Sequence, residues 1–332
     1  MAAKDFDHLF QQFPDVKIGV IGDLMLDTYW WGHVERISPE APVPVVSLDK
    51  REYRIGGAGN VALNLASLGA KVNVLSVIGE DDDGQTLKEL LDQNRIQTKY
   101  LLKSDNRVTT NKTRIISMNQ QMMRLDSEMT KDLSSEDQQK IVQTLAKFLE
   151  KEKPRVLIFE DYNKGILSEK VIKESLKLCK SHQVITAVDP KKKNFFSYLG
   201  ADIFKPNLKE VREGLNILLE KVDLPALIRI HGKLAEKIHH HISLITLSEK
   251  GLFYQHDDQA RIFPSHLRNI ADVSGAGDTV IAVASLVYAA TKDVKLMAEI
   301  ANIAGGLVCE EVGTVAINKS LLLKECKLLL KS

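Results

Sequence analysis

Residues 271–281 read Ala-Asp-Val-Ser-Gly-Ala-Gly-Asp-Thr-Val-Ile, a small-residue loop (Gly275, Ala276, Gly277) followed at once by a long apolar run. Such a loop aims several backbone N–H groups at one point beside a helix N-terminus, whose partial positive charge favours an anion. Asp278 at the rim would repel a phosphate, so anion binding alone does not account for it. The carboxylate makes sense if it contacts a hydroxyl that attacks the phosphate. The loop therefore points to phosphoryl transfer to an alcohol.

Other residues suit the two partners of that reaction. Asp23 follows the first apolar run, and Asp27 lies just beyond. Carboxylates at the carboxyl end of a parallel strand can accept polyol hydroxyls, or they can cap the next turn. The Gly56-Gly57-Ala58-Gly59-Asn60 turn brings backbone close to a ligand, with the Asn60 amide free for a sugar hydroxyl. Gly57 to Ala62 also fits a dinucleotide fingerprint with Glu80 near the ribose position, but Arg51-Glu-Tyr-Arg54 is too charged for the buried strand that motif needs. Asn207 and Glu210 share a helix face, where Glu210 can hold a water of hydrated Mg²⁺ or simply complete a capping box. Thr246-Leu-Ser248-Glu249-Lys-Gly251 is a plausible nucleotide wall at a strand end, and Gly313 marks another tight turn. Both also read as ordinary turns. No Walker A pattern occurs.

These residues need a scaffold of alternating strands and helices. Apolar, β-branched runs at Val16–Ile21, Val72–Ile78, Val156–Phe159, Val184–Val188, Ala201–Phe204 and Ile242–Leu247 predict buried strands. Helical patterns fall at Ala58–Leu68, Gly84–Asn94, Ser134–Leu149, Ser168–Lys180, Ala276–Ala290, Val294–Glu311 and Lys319–Leu330. The alternation implies an α/β fold of three layers, with a mostly parallel sheet covered on both faces. Residues 1–332 read as a single domain. Two stretches with one polar face, about 36–54 and 98–126, predict a small inserted β-sheet acting as a lid.

Composition sets the class. Of 332 residues, 44% are hydrophobic and 27% charged, and 45 basic residues against 44 acidic leave a net charge of +1. That balance gives no reason to expect nucleic acid or an anionic membrane as partner. Cys179, Cys309 and Cys326 are too far apart to suggest disulfides or a metal knuckle. Met1–Gln12 lacks a signal-peptide core, and no apolar run is long enough for a membrane span, so the cytoplasm is the expected location. His239-His240-His241 is expected to be a solvated turn, since no acidic or Cys partners flank it at ligand spacing.

Taken together, Gly22-Asp23, the Gly56–Asn60 turn, Asn207-x-x-Glu210 and Asp272-Val-Ser-Gly-Ala-Gly-Asp278-Thr279 resemble the ribokinase-like (PfkB-type) sugar kinases, in family order. Ser274 stands where the family usually has Thr, and the hydroxyl is kept. Within the family, Gly22-Asp-Leu-Met-Leu-Asp-Thr-Tyr-Trp-Trp-Gly32, Ile37-Ser-Pro-Glu-Ala-Pro-Val-Pro-Val45, Asn119-Gln-Gln-Met-Met-Arg-Leu-Asp126 and Asp161-Tyr-Asn-Lys-Gly165 look like the D-glycero-D-manno-heptose-7-phosphate kinases. Many of these are fused to a C-terminal adenylyltransferase, so this chain looks like a free-standing form or a separate domain.

The resemblance implies that ATP phosphorylates the anomeric hydroxyl of the heptose 7-phosphate, on the way to ADP-heptose for lipopolysaccharide core. It implies Asp278 as base, with the Gly275–Gly277 N–H groups on the transferring phosphoryl. Asn207 and Glu210 would serve phosphate and Mg²⁺, the metal through water, while Thr246–Gly251 and Gly313 line the nucleotide. Asp23, Gly57 and Asn60 would hold the sugar. A monovalent-cation requirement is left open, and a homodimer through the lid is expected. The helix N-terminus should keep Asp278 ionised, its pKa not raised toward neutrality, which suits a loose transition state dominated by positioning. Lys112 and Arg114, two apart on a lid strand, point the same way and could take the distal phosphate. Two alternatives stay open: a ribokinase-like kinase for another sugar or sugar phosphate, and a ligand-sensing protein with a dead kinase fold.

Overall fold

The computed structural model describes residues 5–118, 120–266 and 268–330; Asn119, in one of the stretches quoted above, lies outside them. In chain order the strands are β1 (Lys17–Gly22), β2 (Leu24–Ile37), β3 (Pro44–Gly57), β4 (Lys71–Gly79), β5 (Leu101–Ser104), β6 (Asn111–Ser117) and β7 (Gln120–Ser127). They continue with β8 (Val156–Glu160), β9 (Ile185–Asp189), β10 (Ile203–Phe204), β11 (Ile242–Thr246), β12 (Leu252–His256) and β13 (Gln259–Phe263). The large sheet has the order β13-β12-β11-β10-β9-β8-β1-β4-β5. It is parallel from β11 to β5, and β12 pairs antiparallel with both β11 and β13.

Helices cover both faces because the parallel strands are apolar on both sides. One layer packs the Ala58–Leu68, Ala276–Thr291 and Val294–Val308 helices against β1, β4 and β8. The other packs the Ser135–Glu152, Glu169–Ser181 and Leu224–Ile238 helices on the opposite side. Their starts follow short polar caps: the Ser134, Ser168 and Asp223 side chains each accept a backbone N–H from the first turn.

The chain runs outward from β1 to β4 and β5, then returns to lay β8, β9 and β10 on the other side. The switch falls between β1 and β8, where ligands gather in open α/β sheets. In register, Gly22 lies beside Glu160, and Glu160 beside Asp189. A side chain at Gly22 would collide with the Glu160 carbonyl, so the two strand ends meet closely only with glycine there.

The small sheet has the order β3-β2-β6-β7, with antiparallel β3–β2 and β6–β7 pairs and a parallel β2–β6 pair. It is wider than 36–54 and 98–126 suggested at one end and narrower at the other. Leu24–Ile37 belongs to it as a long strand, whereas Leu101–Ser104 pairs with β4 in the large sheet. The buried run Leu24–Tyr29 lacks the alternation that marks a half-exposed strand, which hides it from pattern reading.

His239 and His241 are exposed as expected for a solvated turn, but His240 is not. It is buried, with Nε2 at 2.6 Å from Ser243 Oγ, and that hydroxyl also meets His231 Nδ1 at 2.9 Å. Burial pushes the His240 pKa down to about 3. The unfolded chain takes up a proton below about 6.5 that the folded one refuses, so this stability is full above that pH and is lost as pH falls toward 3. Between pH 7.5 and 5 the loss should be about 2 kcal/mol. Urea unfolding at the two pH values should show His240→Gln losing less by that amount; an equal loss in both proteins would refute the assignment.

Candidate active site

The helix Ala276–Thr291 starts at the switch point. Gly275 caps it with a left-handed backbone (φ +78), and a Cβ there would stand 2.7 Å from Asn60 Nδ2. Glycine thus gives the loop both its turn and its close approach to Asn60. Asp278 sits in the first helical turn and is 6% exposed. Asn60 Nδ2 donates to its Oδ2 at 2.7 Å, and the Tyr162 hydroxyl donates to its Oδ1 at 2.8 Å. Asn60 is itself fixed by Asn64, whose Nδ2 donates to the Asn60 carbonyl at 2.9 Å. Asn64 Oδ1 accepts from Thr279 Oγ1 and from the Ile317 N–H.

Asn60 therefore orients Asp278 in this structure, where the Gly-rich turn had suggested a sugar hydroxyl as its partner. Its strand of origin, β3, lies in the small sheet, which removes the buried core strand a dinucleotide fingerprint requires.

The expectation that Asp278 keeps an ordinary carboxylate pKa does not hold. Burial raises it to about 6, Asn60 and Tyr162 pull it down, and nearby Asp189 pushes it up again. Desolvation outweighs the helix N-terminus because the side chain sits below the surface, beside other carboxylates. The group is a stronger base near neutral pH than the helix dipole alone predicted.

Three strands of the large sheet end in charge beside Asp278. Glu160 closes β8, Asp189 closes β9 and Lys205 follows β10. Lys205 is 2% exposed, its Nζ 2.7 Å from Asp189 Oδ2. Burial works against its charge, but Asp189 and Glu210 outweigh burial and hold its pKa above the usual lysine value. Glu160 is 0% exposed, and burial followed by repulsion from Asp189 and Asp278 holds it well above the carboxylate range. Lys191 Nζ bridges Glu210 Oε1 at 2.6 Å and Asp189 Oδ1 at 3.7 Å.

Glu210 and Asn207 form the capping box in full: Asn207 Oδ1 accepts the Glu210 N–H, and Glu210 Oε2 accepts the Asn207 N–H, both at 2.8 Å. Free lone pairs remain on the Glu210 carboxylate, which suits contact with a cation through water and not a full inner coordination shell.

Asp23 is buried and staples a loop. Its Oδ2 accepts the N–H groups of Tyr162 and Lys164, and its Oδ1 accepts that of Ile166. Burial raises its pKa, and these three bonds act against the rise. Arg107 grips the same loop from the other side, donating to the Lys164 and Lys131 carbonyls. The loop so held carries Tyr162 to Asp278.

The small sheet lays a cationic row over the site. Asp27 pairs across the strands with Arg54 and Lys112. Arg114 Nη1 meets Asp27 Oδ1 at 2.6 Å. The Tyr29 ring has Arg54 at 4.8 Å and Arg114 at 5.2 Å. Arg54 also donates to the Val312 carbonyl, beside Gly313, whose N–H is held by Asp272. Thr246 ends β11 next to Asn207, Ser248 and Glu249 are exposed in the following turn, and Gly251 closes that turn with φ +95.

The arrangement joins a glycine-capped helix start, a buried carboxylate and a cationic cover. Residues 16–320 match the sequence family described as pfkB family carbohydrate kinase. The chain belongs to this family. It is a phosphotransferase that acts on a sugar hydroxyl.

Relatives of the kinase include two proteins named bifunctional protein HldE. The one from Aliarcobacter butzleri (strain RM4018) is 41% identical over 300 residues, covering 90% of this chain and 62% of its own length. The one from Campylobacter curvus (strain 525.92) is 38% identical over 306 residues, covering 91% and 63%. The kinase thus spans less than two thirds of these relatives. Among solved structures, phosphofructokinase-2 from Escherichia coli in complex with potassium superposes with a TM-score of 0.78 at 15% identity, over 95% of this chain and 100% of its own. Arabidopsis thaliana ribokinase complexed with ribose and ATP gives 0.71 at 18% identity, over 93% and 99%. At such identities the likeness is one of fold. No described helix is long and apolar enough to cross a membrane.

Tyr162, Glu160, Asp189, Lys205, Arg54 and Asn64 were not singled out as site residues from sequence. Tyr162 offers a direct test. Its hydroxyl helps hold Asp278 ionised, so kcat/KM measured without excess free Mg²⁺ should fall as pH drops through about 6. Removing one hydrogen bond to a charged group in Tyr162→Phe should move this acid limb up by about one pH unit. An unmoved limb would show that Tyr162 does not tune the base.

Proposed function

We propose that this kinase transfers the γ-phosphoryl of ATP to the anomeric hydroxyl of D-glycero-D-manno-heptose 7-phosphate, giving the 1,7-bisphosphate. The observation that carries the choice of a phosphorylated sugar is the row Lys112, Arg114 and Arg54 on the small sheet, grouped about Tyr29 and Asp27. Both arginines stack on Tyr29; Arg114 is also held by Asp27, and Arg54 by Glu52 and the Val312 carbonyl, yet each keeps further N–H donors for a phosphate. The heptose itself rests on the resemblance of stretches 22–32, 37–45 and 161–165 to the heptose-7-phosphate kinases.

Asp278 accepts the proton of the attacking hydroxyl, while Asn60 and Tyr162 fix both of its oxygens. The N–H groups of the Gly275–Gly277 turn receive the transferring phosphoryl. The residues at 246–251 and the Gly313 turn flank the nucleotide. Mg²⁺ bound with ATP neutralises charge on the phosphates, and Glu210 would hold it through water. Asp23 shapes the sugar pocket through the 162–166 loop and has a lone pair left for a hydroxyl.

Incubation with ATP and Mg²⁺ should release ADP fastest with heptose 7-phosphate in a panel that includes ribose, fructose 6-phosphate and adenosine. Preference for an unphosphorylated sugar would sink the phosphate role of the cationic row. Preference for another sugar phosphate would keep that role and replace the heptose.

A further inference from the structure

Lys205 and Lys191 both stand beside the carboxylate that ends β9, but they differ in what can reach them. Lys205 is closed to water and committed to Asp189 Oδ2 at 2.7 Å. The Lys191 side chain is 28% exposed. Its Nζ donates to Glu210 Oε1 at 2.6 Å, which occupies one N–H of an ammonium that carries several. Asp189 Oδ1, at 3.7 Å, lies beyond hydrogen-bond reach, and among the described residues the amine makes no other hydrogen bond. Donors are therefore left for a ligand.

The place of that amine fits one ligand group in particular. It stands 5.3 Å from the centre of the Tyr162 ring, whose hydroxyl donates to Asp278 Oδ1. On its other side, Glu210 belongs to the capping box that opens the Leu208–Leu215 helix. Asp189 lies between the amine and the Gly275–Gly277 turn. A Cβ at Gly277 would stand 3.8 Å from Asp189 Oδ2, while Lys191 meets the Oδ1 of the same carboxylate. That is a short gap for a flexible four-carbon stem. The need for a cation is plain, because Glu160, Asp189, Glu210 and Asp278 would all repel a phosphoryl group brought to this turn. Lys205 adds to the field but is too enclosed to make contact.

We infer that Lys191 is a further catalytic residue, whose ammonium leaves Glu210 and contacts the transferring phosphoryl group. The inference rests on the reading of Asp278 as base and of the Gly275–Gly277 turn as the seat of that group. In the step itself the sugar oxygen bonds to the γ-phosphorus, and the bond from that phosphorus to the bridging oxygen breaks. ADP leaves with the bonding electrons, and the hydroxyl proton passes to Asp278. Lys191 neither gains nor loses a proton. It opposes the negative charge spread over the equatorial oxygens of a loose transition state. Glu210, released, keeps its Oε2 bond to the Asn207 N–H.

The test uses whichever acceptor of the panel above the unaltered kinase turns over fastest, so a wrong choice of sugar changes the acceptor and leaves the test intact. A wrong choice of base would show separately, in Asp278→Asn. Lys191→Met should lose ~10²–10³-fold in kcat, with KM for ATP and for the acceptor within ~3-fold of the parent. Lys191→Arg keeps the charge and should recover at least ~10-fold of that loss. ADP with Mg²⁺, acceptor and fluoroaluminate, a mimic of the transferring phosphoryl, should bind Lys191→Met at least ~10-fold more weakly, while ADP alone binds as in the parent. A lysine that only positioned Tyr162 would instead move the acid limb of the pH profile, as Tyr162→Phe does, and leave the fluoroaluminate complex tight. Circular dichroism checks the fold, and should the Met variant not fold, Lys191→Gln must show the same pattern. A kcat within ~5-fold of the parent, or a loss confined to the KM for ATP, would overturn the role. So would an undiminished fluoroaluminate complex.

Discussion

Asp278→Asn should abolish turnover, with kcat down by about 10³-fold or more, and should at the same time make the protein more stable above pH 7. The first effect follows because Asn cannot take a proton from the attacking hydroxyl. The second follows from the raised pKa. The unfolded carboxyl titrates near 3.8 and the folded one at about 6, so the folded state holds its proton more tightly. Its favourable share of stability is present below 3.8 and is lost as pH rises through 6. About two pH units correspond to an ionisation cost of about 3 kcal/mol at pH 7–8, which a neutral amide avoids. Asn can still accept from Tyr162 through its carbonyl, although its amide faces the Asn60 donor and some of the gain is lost. Thermal melts should show the variant ahead at pH 8 and level with the parent near pH 4. A variant that keeps activity within a few-fold would remove Asp278 as base, and one less stable than the parent at pH 8 would remove the desolvation argument.

The two parts of that prediction divide along what sequence makes legible. The Gly275–Gly277 loop and the apolar run after Asp278 disclose a helix start with an acid in its first turn, and this is what the structure contains. The Ala58–Leu68 helix also falls where its periodicity places it. Parallel core strands are equally readable, because apolar runs of five or six residues have few other fates. The pKa of Asp278 was not readable, since it depends first on burial of the side chain and then on Asn60, Asp189 and Tyr162, each far away in the chain.

The same limit hid Glu160, Asp189 and Lys205. Each is one charged residue directly after an apolar run, as in Phe159-Glu160, Val188-Asp189 and Phe204-Lys205. Only strand order shows that these three ends are neighbours. That repeated pattern was the available signal, because carboxyl ends of parallel strands converge on the ligand side. His240 was misjudged for a related reason: a polar tripeptide reads as solvated until the Ser243 hydroxyl is seen to receive its ring.

Lys205→Met should be the most damaging single change to stability in the site, costing about 3–5 kcal/mol. The side chain is 2% exposed and its amine lies 2.7 Å from Asp189 Oδ2, so the ion pair is closed to water. Methionine fills much of the volume, which separates lost charge from lost packing. What remains is Asp189 and Glu160 beside Asp278, with Lys191 nearby but shared with Glu210. Removing one partner of a buried pair strands the other, and the penalty is much larger than the net worth of the pair. For a protein whose whole stability is on the order of 5–15 kcal/mol, that is a large fraction. The loss should grow with pH, because Glu160 is already held above its ordinary range and is still harder to ionise without Lys205. Urea unfolding at pH 5.5 and pH 8 should show the larger deficit at pH 8. Lys205→Met combined with Asp189→Asn should recover part of it, since the stranded charge is then gone. A single variant that loses less than about 1 kcal/mol at pH 8 would mean that water or relaxation reaches the pair.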